Sequence, residues 1–148
     1  MTLKAQIKAD LKSAMQAKDK VAVGAIRLLS AAIKQREVDE RIDVDDPGII
    51  AIIEKLIKQG RDSAGQFAAA GRDELAAKEQ TEIAIYQGYL PEPLDEATLQ
   101  TLIDEAIAST GAAGMRDMGK VMAILKPQVQ GRADMGQLSG QIKQRLSN

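Results

Sequence analysis

Apolar residues recur three and four positions apart along nearly the whole chain, the period of helices that bury one side. Leu3, Ile7, Leu11 and Met15 predict a first helix from about Thr2, with Lys4, Lys8 and Lys12 as a parallel basic stripe. Asp19 is placed to cap a second helix that turns Ala22, Ile26, Leu29 and Ile33 inward and Arg27, Lys34 and Arg41 outward. Residues 39–46 are expected to form an acidic connector, closed by Asp46-Pro47 as a cap and first turn. Proline suits that place because the first helical amides have no intrahelical partner. Ile49, Ile53, Leu56, Ile57, Ala64 and Phe67 make the inner face of a third helix. Gly71 is expected to stop it in the left-handed conformation, and Asp73 to restart the chain as the other arm of a helical hairpin with Leu75, Ala76, Ile83 and Tyr86 inward.

The run Tyr89-Leu90-Pro91-Glu92-Pro93-Leu94 cannot be helical throughout, because each proline biases the residue before it to an extended backbone. A boundary is expected here. Asp95 can cap a fifth helix, with Leu94 and Leu99 at the spacing of a hydrophobic staple, and Leu102, Ile103 and Ile107 continue it to Gly111. Asp117 and Asp134 each stand before a further helix, and Gln137 lies three residues beyond Asp134, as in a capping box. Pro127 ends or kinks the sixth helix, Gly131-Arg132 makes a turn, and Leu138, Ile142 and Leu146 stripe the seventh. The expected fold is all-α: a larger amino-terminal helical bundle over residues 1–90, then a three-helix subdomain over 91–148.

The composition narrows the chemistry. Cysteine and histidine are both absent from the 148 residues, which removes thiol and imidazole catalysis, disulfides, Cys/His zinc sites and haem ligation. Twenty basic and 21 acidic residues give a net charge of −1, against generic wrapping around nucleic acid. Three aromatic residues, Phe67, Tyr86 and Tyr89, are too few for base-stacking platforms. Charges interrupt any apolar run in the first ten residues, so no secretory leader is expected, no stretch is long enough to span a membrane, and the expected location is cytoplasmic. No cofactor, membrane or DNA partner is expected.

Local charge is less even. Residues 115–148 hold six basic and two acidic residues, a net +4, and residues 1–38 hold eight and three, a net +5. Lys120, Lys126, Arg132, Lys143 and Arg145 are therefore candidates for phosphate contacts, with Gly119 and Gly136 allowing close approach at two helix starts. Against this, Asp117 and Asp134 can satisfy those first-turn amides and would repel a phosphate. The +5 stretch can equally be a solvated face paired with neighbouring acids. Glu79 and Glu82, three apart on the fourth helix, would project toward Arg61, either as an acid–base pair or as an interhelical ion pair that fixes the hairpin register. Asp43, Asp45 and Asp46 can be read as a magnesium site or as a solvated loop with a cap.

Several of these segments carry a resemblance. Arg27-Leu28-Leu29-Ser30-Ala31-Ala32-Ile33-Lys34, Lys55-Leu56-Ile57-Lys58-Gln59 with Arg61-Asp62-Ser63, Gly71-Arg72 and Tyr89-Leu90-Pro91 resemble the signatures of the YqeY-like family. Asp117-Met118-Gly119-Lys120-Val121-Met122 and Gly131-Arg132-Ala133-Asp134 resemble its carboxy-terminal signature, in the expected order. The resemblance implies a carboxy-terminal part like the tail of GatB, the tRNA-holding subunit of the tRNA-dependent amidotransferase. Family members are often described as carbon–nitrogen ligases with glutamine as amido-N-donor. No residue here could carry that reaction, and an independent enzyme is the least favoured class. Two departures stand out: Gly60 where many relatives have a basic residue, and Asp134-Met135 where the amidotransferase tail usually has asparagine before proline. Two function classes follow. One is a tRNA-associated accessory module that binds rather than catalyses. The other is a helical protein-interaction adaptor without RNA binding, which docks a translation or amidotransferase component.

Overall fold

The computed structural model describes residues 1–147. Among them are seven α-helices and one 3-10 turn and no strand, so the fold is all-α. Residue contacts divide the chain into two compact units, Met1–Leu90 and Pro91–Asn148.

The first unit holds α1 (Leu3–Gln16), α2 (Lys20–Glu40), α3 (Asp46–Ala69) and α4 (Asp73–Gln87). Thr2, Asp19 and Asp45 cap the first three by accepting from the amides of Ala5, Ala22 and Gly48. Ile26, Leu29 and Ile33 of α2 and Ile49, Ile53 and Ile57 of α3 are buried in one core with Ile7, Ile83 and Tyr86. Each such side chain, fully withdrawn from water, contributes about 1.5–3 kcal/mol. Gly71, at φ +74°, ends α3 as its spacing predicts.

Several details depart from the sequence reading. The cap of α3 is Asp45, not Asp46, whose carboxylate instead accepts from the Leu3 amide at 3.1 Å. Pro47 still falls in the first turn, where its missing N–H costs nothing. The acidic connector is shorter than 39–46, because α2 runs through Glu40 and ends on Arg41 in the left-handed conformation. Within it Val44 is only 5% exposed and joins the core, which an acidic run conceals. Met15 is 51% exposed, and Ala14 takes the buried place at the end of α1. Leu75 is likewise exposed. Asp73 does begin α4, as expected, and Arg72 occupies the cap position without a side-chain hydrogen bond.

The second unit holds α5 (Glu96–Thr110), a 3-10 turn at Met115–Asp117, α6 (Met118–Val129) and α7 (Met135–Leu146). Leu99, Ile103, Val121, Leu125, Val129, Leu138 and Ile142 fill its core, with Leu94 packed against them. Asp95 and Asp134 cap α5 and α7 through the amides of Thr98 and Gln137. Pro127 does not end α6 but lies inside its last turn, so the helix runs two residues further to the buried Val129.

Two tyrosines tie the first unit together. The Tyr86 hydroxyl donates to the Ala25 carbonyl at 2.8 Å, joining α4 to α2, and burial pushes its pKa up to about 12. A proton held above the ordinary value of 10 favours the fold below pH 10, and that contribution is lost as pH rises toward 12. Tyr86→Phe is therefore expected to cost about 1 kcal/mol at neutral pH and to flatten the decline of stability between pH 10 and 12, checked by urea unfolding across that range.

Candidate functional site

The carboxy-terminal cations occupy different environments. Arg132 is half-buried, and its Nε donates to the Glu92 carbonyl at 2.9 Å, while the Leu94 amide donates to the Arg132 carbonyl at 2.9 Å. This reciprocal pair fixes the extended 91–95 segment to the turn after α6. Gly131, at φ +76°, allows that turn. Arg145 is an ion-pair partner of Asp104 and also donates to Gln100, both on α5, and its side chain is 30% exposed. Two of the five proposed phosphate contacts thus hold the unit together.

Lys120, Lys126 and Lys143 are exposed. The Lys120 ammonium stands 3.9 Å from Asp117, with its side chain 71% exposed. Lys126 and Lys143 have no carboxylate within ion-pair distance among the described residues. Arg116, in the 3-10 turn, is a further exposed cation that the motifs did not single out.

Asp117 does not cap α6. Its carboxylate accepts from the Ala113 amide at 3.0 Å, because the 3-10 turn runs straight into the helix. That backbone hydrogen bond holds its carboxyl below the usual range. Gly119 lies exposed in the first turn of α6, with nothing within 4 Å of where a Cβ would stand. At α7 the Asp134 carboxylate occupies the helix start by accepting from Gln137, 3.0 Å away. Of the two helix starts considered for an anion, the second is therefore closed by the chain's own carboxylate.

In the first unit, Arg61, Glu79 and Glu82 do not form the expected ion pair. Arg61 is exposed and makes no salt bridge among the described residues, whereas Glu79 and Glu82 line a cavity of about 170 Å³ with Gly60, Ser63 and Tyr86. The reason is helical geometry: α4 packs on the face of α3 that presents Gly60, and one residue further the helix has turned by about 100°. Burial and the neighbouring Glu79 raise the Glu82 pKa. Among the described residues no three acidic side chains converge on a metal position, and Asp45 is spent on its cap.

Tyr89, Leu90 and Pro91 serve the architecture. Tyr89 donates to the Asp10 carboxylate at 2.6 Å, Tyr89 and Leu90 pack on the first core, and Pro91 begins the non-helical segment. Burial and the bond to Asp10 raise the Tyr89 pKa. Lys4 bridges Glu37 and Asp43, which raises its own pKa and lowers that of Asp43. The first-helix basic stripe is thus partly paired with the acidic connector.

Comparison with known proteins supplies the remaining context. A family model described as Yqey-like protein matches residues 4–146. A protein of Pyrenophora tritici-repentis named "Altered inheritance of mitochondria protein 41, mitochondrial" is 32% identical over 130 residues, covering 86% of this chain and 71% of that protein. Proteins of the same name from Eremothecium gossypii and Saccharomyces cerevisiae are 42% and 41% identical over 87 and 85 residues, covering 58% and 57% of this chain. The chain matches 48% and 46% of their length, about half. These relatives correct the expectation of a cytoplasmic location, since each is named as a mitochondrial protein. With a match that runs through both helical units, the chain belongs to the YqeY-like family.

Proposed function

We propose that the chain is a tRNA-associated accessory module, similar in role to the tail of the amidotransferase subunit GatB, that binds RNA and leaves amide transfer to another protein. The observation that carries this reading is the exposure of Lys120, Lys126 and Lys143, two of them without an ion-pair partner among the described residues. Lysine ammoniums held in water by a rigid helical unit can meet phosphates at little desolvation cost. Binding of this kind reads backbone and shape rather than base sequence and weakens steeply with salt. Arg132 and Arg145, bonded to the Glu92 carbonyl and to Asp104 and Gln100, help to position the unit that presents the lysines.

The test is titration of tRNA with the protein and with a Lys120→Glu, Lys126→Glu, Lys143→Glu variant at low and moderate salt. The variant is expected to lose about tenfold or more in affinity at low salt and to show a shallower salt dependence. Equal affinity in the variant, or no binding of tRNA by the unaltered protein at low salt, overturns the reading.

A further inference from the structure

An open, largely apolar depression on the first unit lies where α1 turns into α2. It has a volume of about 510 Å³ and is lined by Met15, Lys18, Lys20, Val23, Gly24 and Arg27. Its apolar lining is Met15, half-exposed, and Val23, partly buried and packed against the first core, and at Gly24 nothing lies within 4 Å of where a Cβ would stand. Lys18, Lys20 and Arg27 complete the lining, and none of them has an ion pair among the described residues. Asp19, which stands between Lys18 and Lys20 in the chain, accepts from the Ala22 amide at 3.1 Å. Lys18 is held at φ +57°, where a glycine would be more at ease, by hydrogen bonds from its own amide to Met15 and from the Asp19 amide to Ala14.

We propose that this groove is a docking site for an acidic amphipathic helix of a partner protein, which seats apolar side chains on Met15 and Val23 and sets its carboxylates against Lys18, Lys20 and Arg27. The shape and chemistry favour that occupant. An apolar lining shared with cations complements a helix with an apolar stripe and acidic flanks. A flexible methionine adapts to such a surface, and the missing side chain at Gly24 lets a partner backbone approach closely. RNA would gain nothing from the apolar lining, which has no aromatic ring for a base. A bilayer requires apolar groups that protrude, whereas these line a depression. The groove lies in the first unit and is separate from the tRNA reading above.

The test follows the Met15 and Val23 methyl signals and the Gly24 amide signal by NMR. The probe is a short helical peptide with leucines three and four apart and glutamates on either side. Shifts confined to these residues are expected, weakened about tenfold by moderate salt. They should vanish for a peptide with lysine in place of glutamate, and for the Gly24→Leu and Arg27→Glu variants. Nothing stands within 4 Å of a Cβ at position 24, and leucine favours the helix over glycine, so the melting temperature of Gly24→Leu should not fall, which separates lost docking from lost folding. Unmoved signals with the glutamate peptide at millimolar concentration, or equal shifts with the lysine peptide, overturn the proposal. So do shifts that appear only with tRNA, with vesicles containing phosphatidylglycerol, or with rising concentration of the protein alone.

Discussion

Replacing Leu125 by alanine is expected to cost about 2–5 kcal/mol and to melt the carboxy-terminal helices before the rest of the chain. Leu125 is completely buried on α6, among Leu99, Ile103, Val121, Leu138 and Ile142, so truncation leaves a cavity in the middle of a small core. A three-helix unit of this size buries a smaller fraction of its surface than a full domain and has little stability in reserve. The two signals needed to see this are already in the protein. Tyr86, Tyr89 and Phe67 all belong to the first unit, so near-ultraviolet dichroism reports on that unit, whereas far-ultraviolet dichroism reports all seven helices. In the variant part of the helical signal should melt early while the tyrosine signal keeps its midpoint. A single transition, shifted equally in both signals, would show that the two units unfold as one.

The second large effect concerns Gly60. A Cβ built there would stand 3.0 Å from Ile83 Cγ1 and 3.3 Å from its Cδ1, with a Glu79 carboxylate oxygen at 3.6 Å. Gly60→Leu must push α4 off α3 along the buried face of the hairpin, and is expected to destabilise the first unit by about 1–3 kcal/mol. Gly65, one turn and a half further along the same helix, has nothing within 4 Å of the equivalent point. Gly65→Ala should therefore stabilise by about 0.5–1 kcal/mol, since only the backbone entropy of glycine is at stake. Urea unfolding followed by tyrosine dichroism compares the two directly. If Gly60→Leu were tolerated as well as Gly65→Ala, close helix packing would not be the reason for glycine at position 60.

That glycine shows where reading the chain stops. A helix-interior glycine announces either close packing or a bend, and the sequence offers no means of choosing; the answer came from Ile83 of a different helix. Arg145 and Arg132 repeat the lesson for charge. As letters they are two more cations in a basic stretch, equal to Lys126 and Lys143. In the fold one is spent on Asp104 and Gln100 and the other on the Glu92 carbonyl, and their partners lie 40 or more positions away in the chain. Asp117 looked like a cap because the local pattern for capping is short, and a 3-10 turn of three residues was enough to redirect it.

Local signals in the chain specify the class of structure: helical periodicity, capping aspartates at 19, 95 and 134, the stop at Gly71, and prolines that keep residues 91–93 out of any helix. These are decided by interactions within a few residues, which is why they can be read locally. Family membership was legible for a similar reason, because its motifs are short runs in a fixed order. Long-range packing sets which cations remain free, that Val44 belongs to a core, that Glu79 and Glu82 face a cavity instead of Arg61, and that Met15 lies open beside Gly24. Each of these depends on which residues distant in sequence meet, and a side chain's charge or polarity does not reveal whether a partner is waiting across the fold.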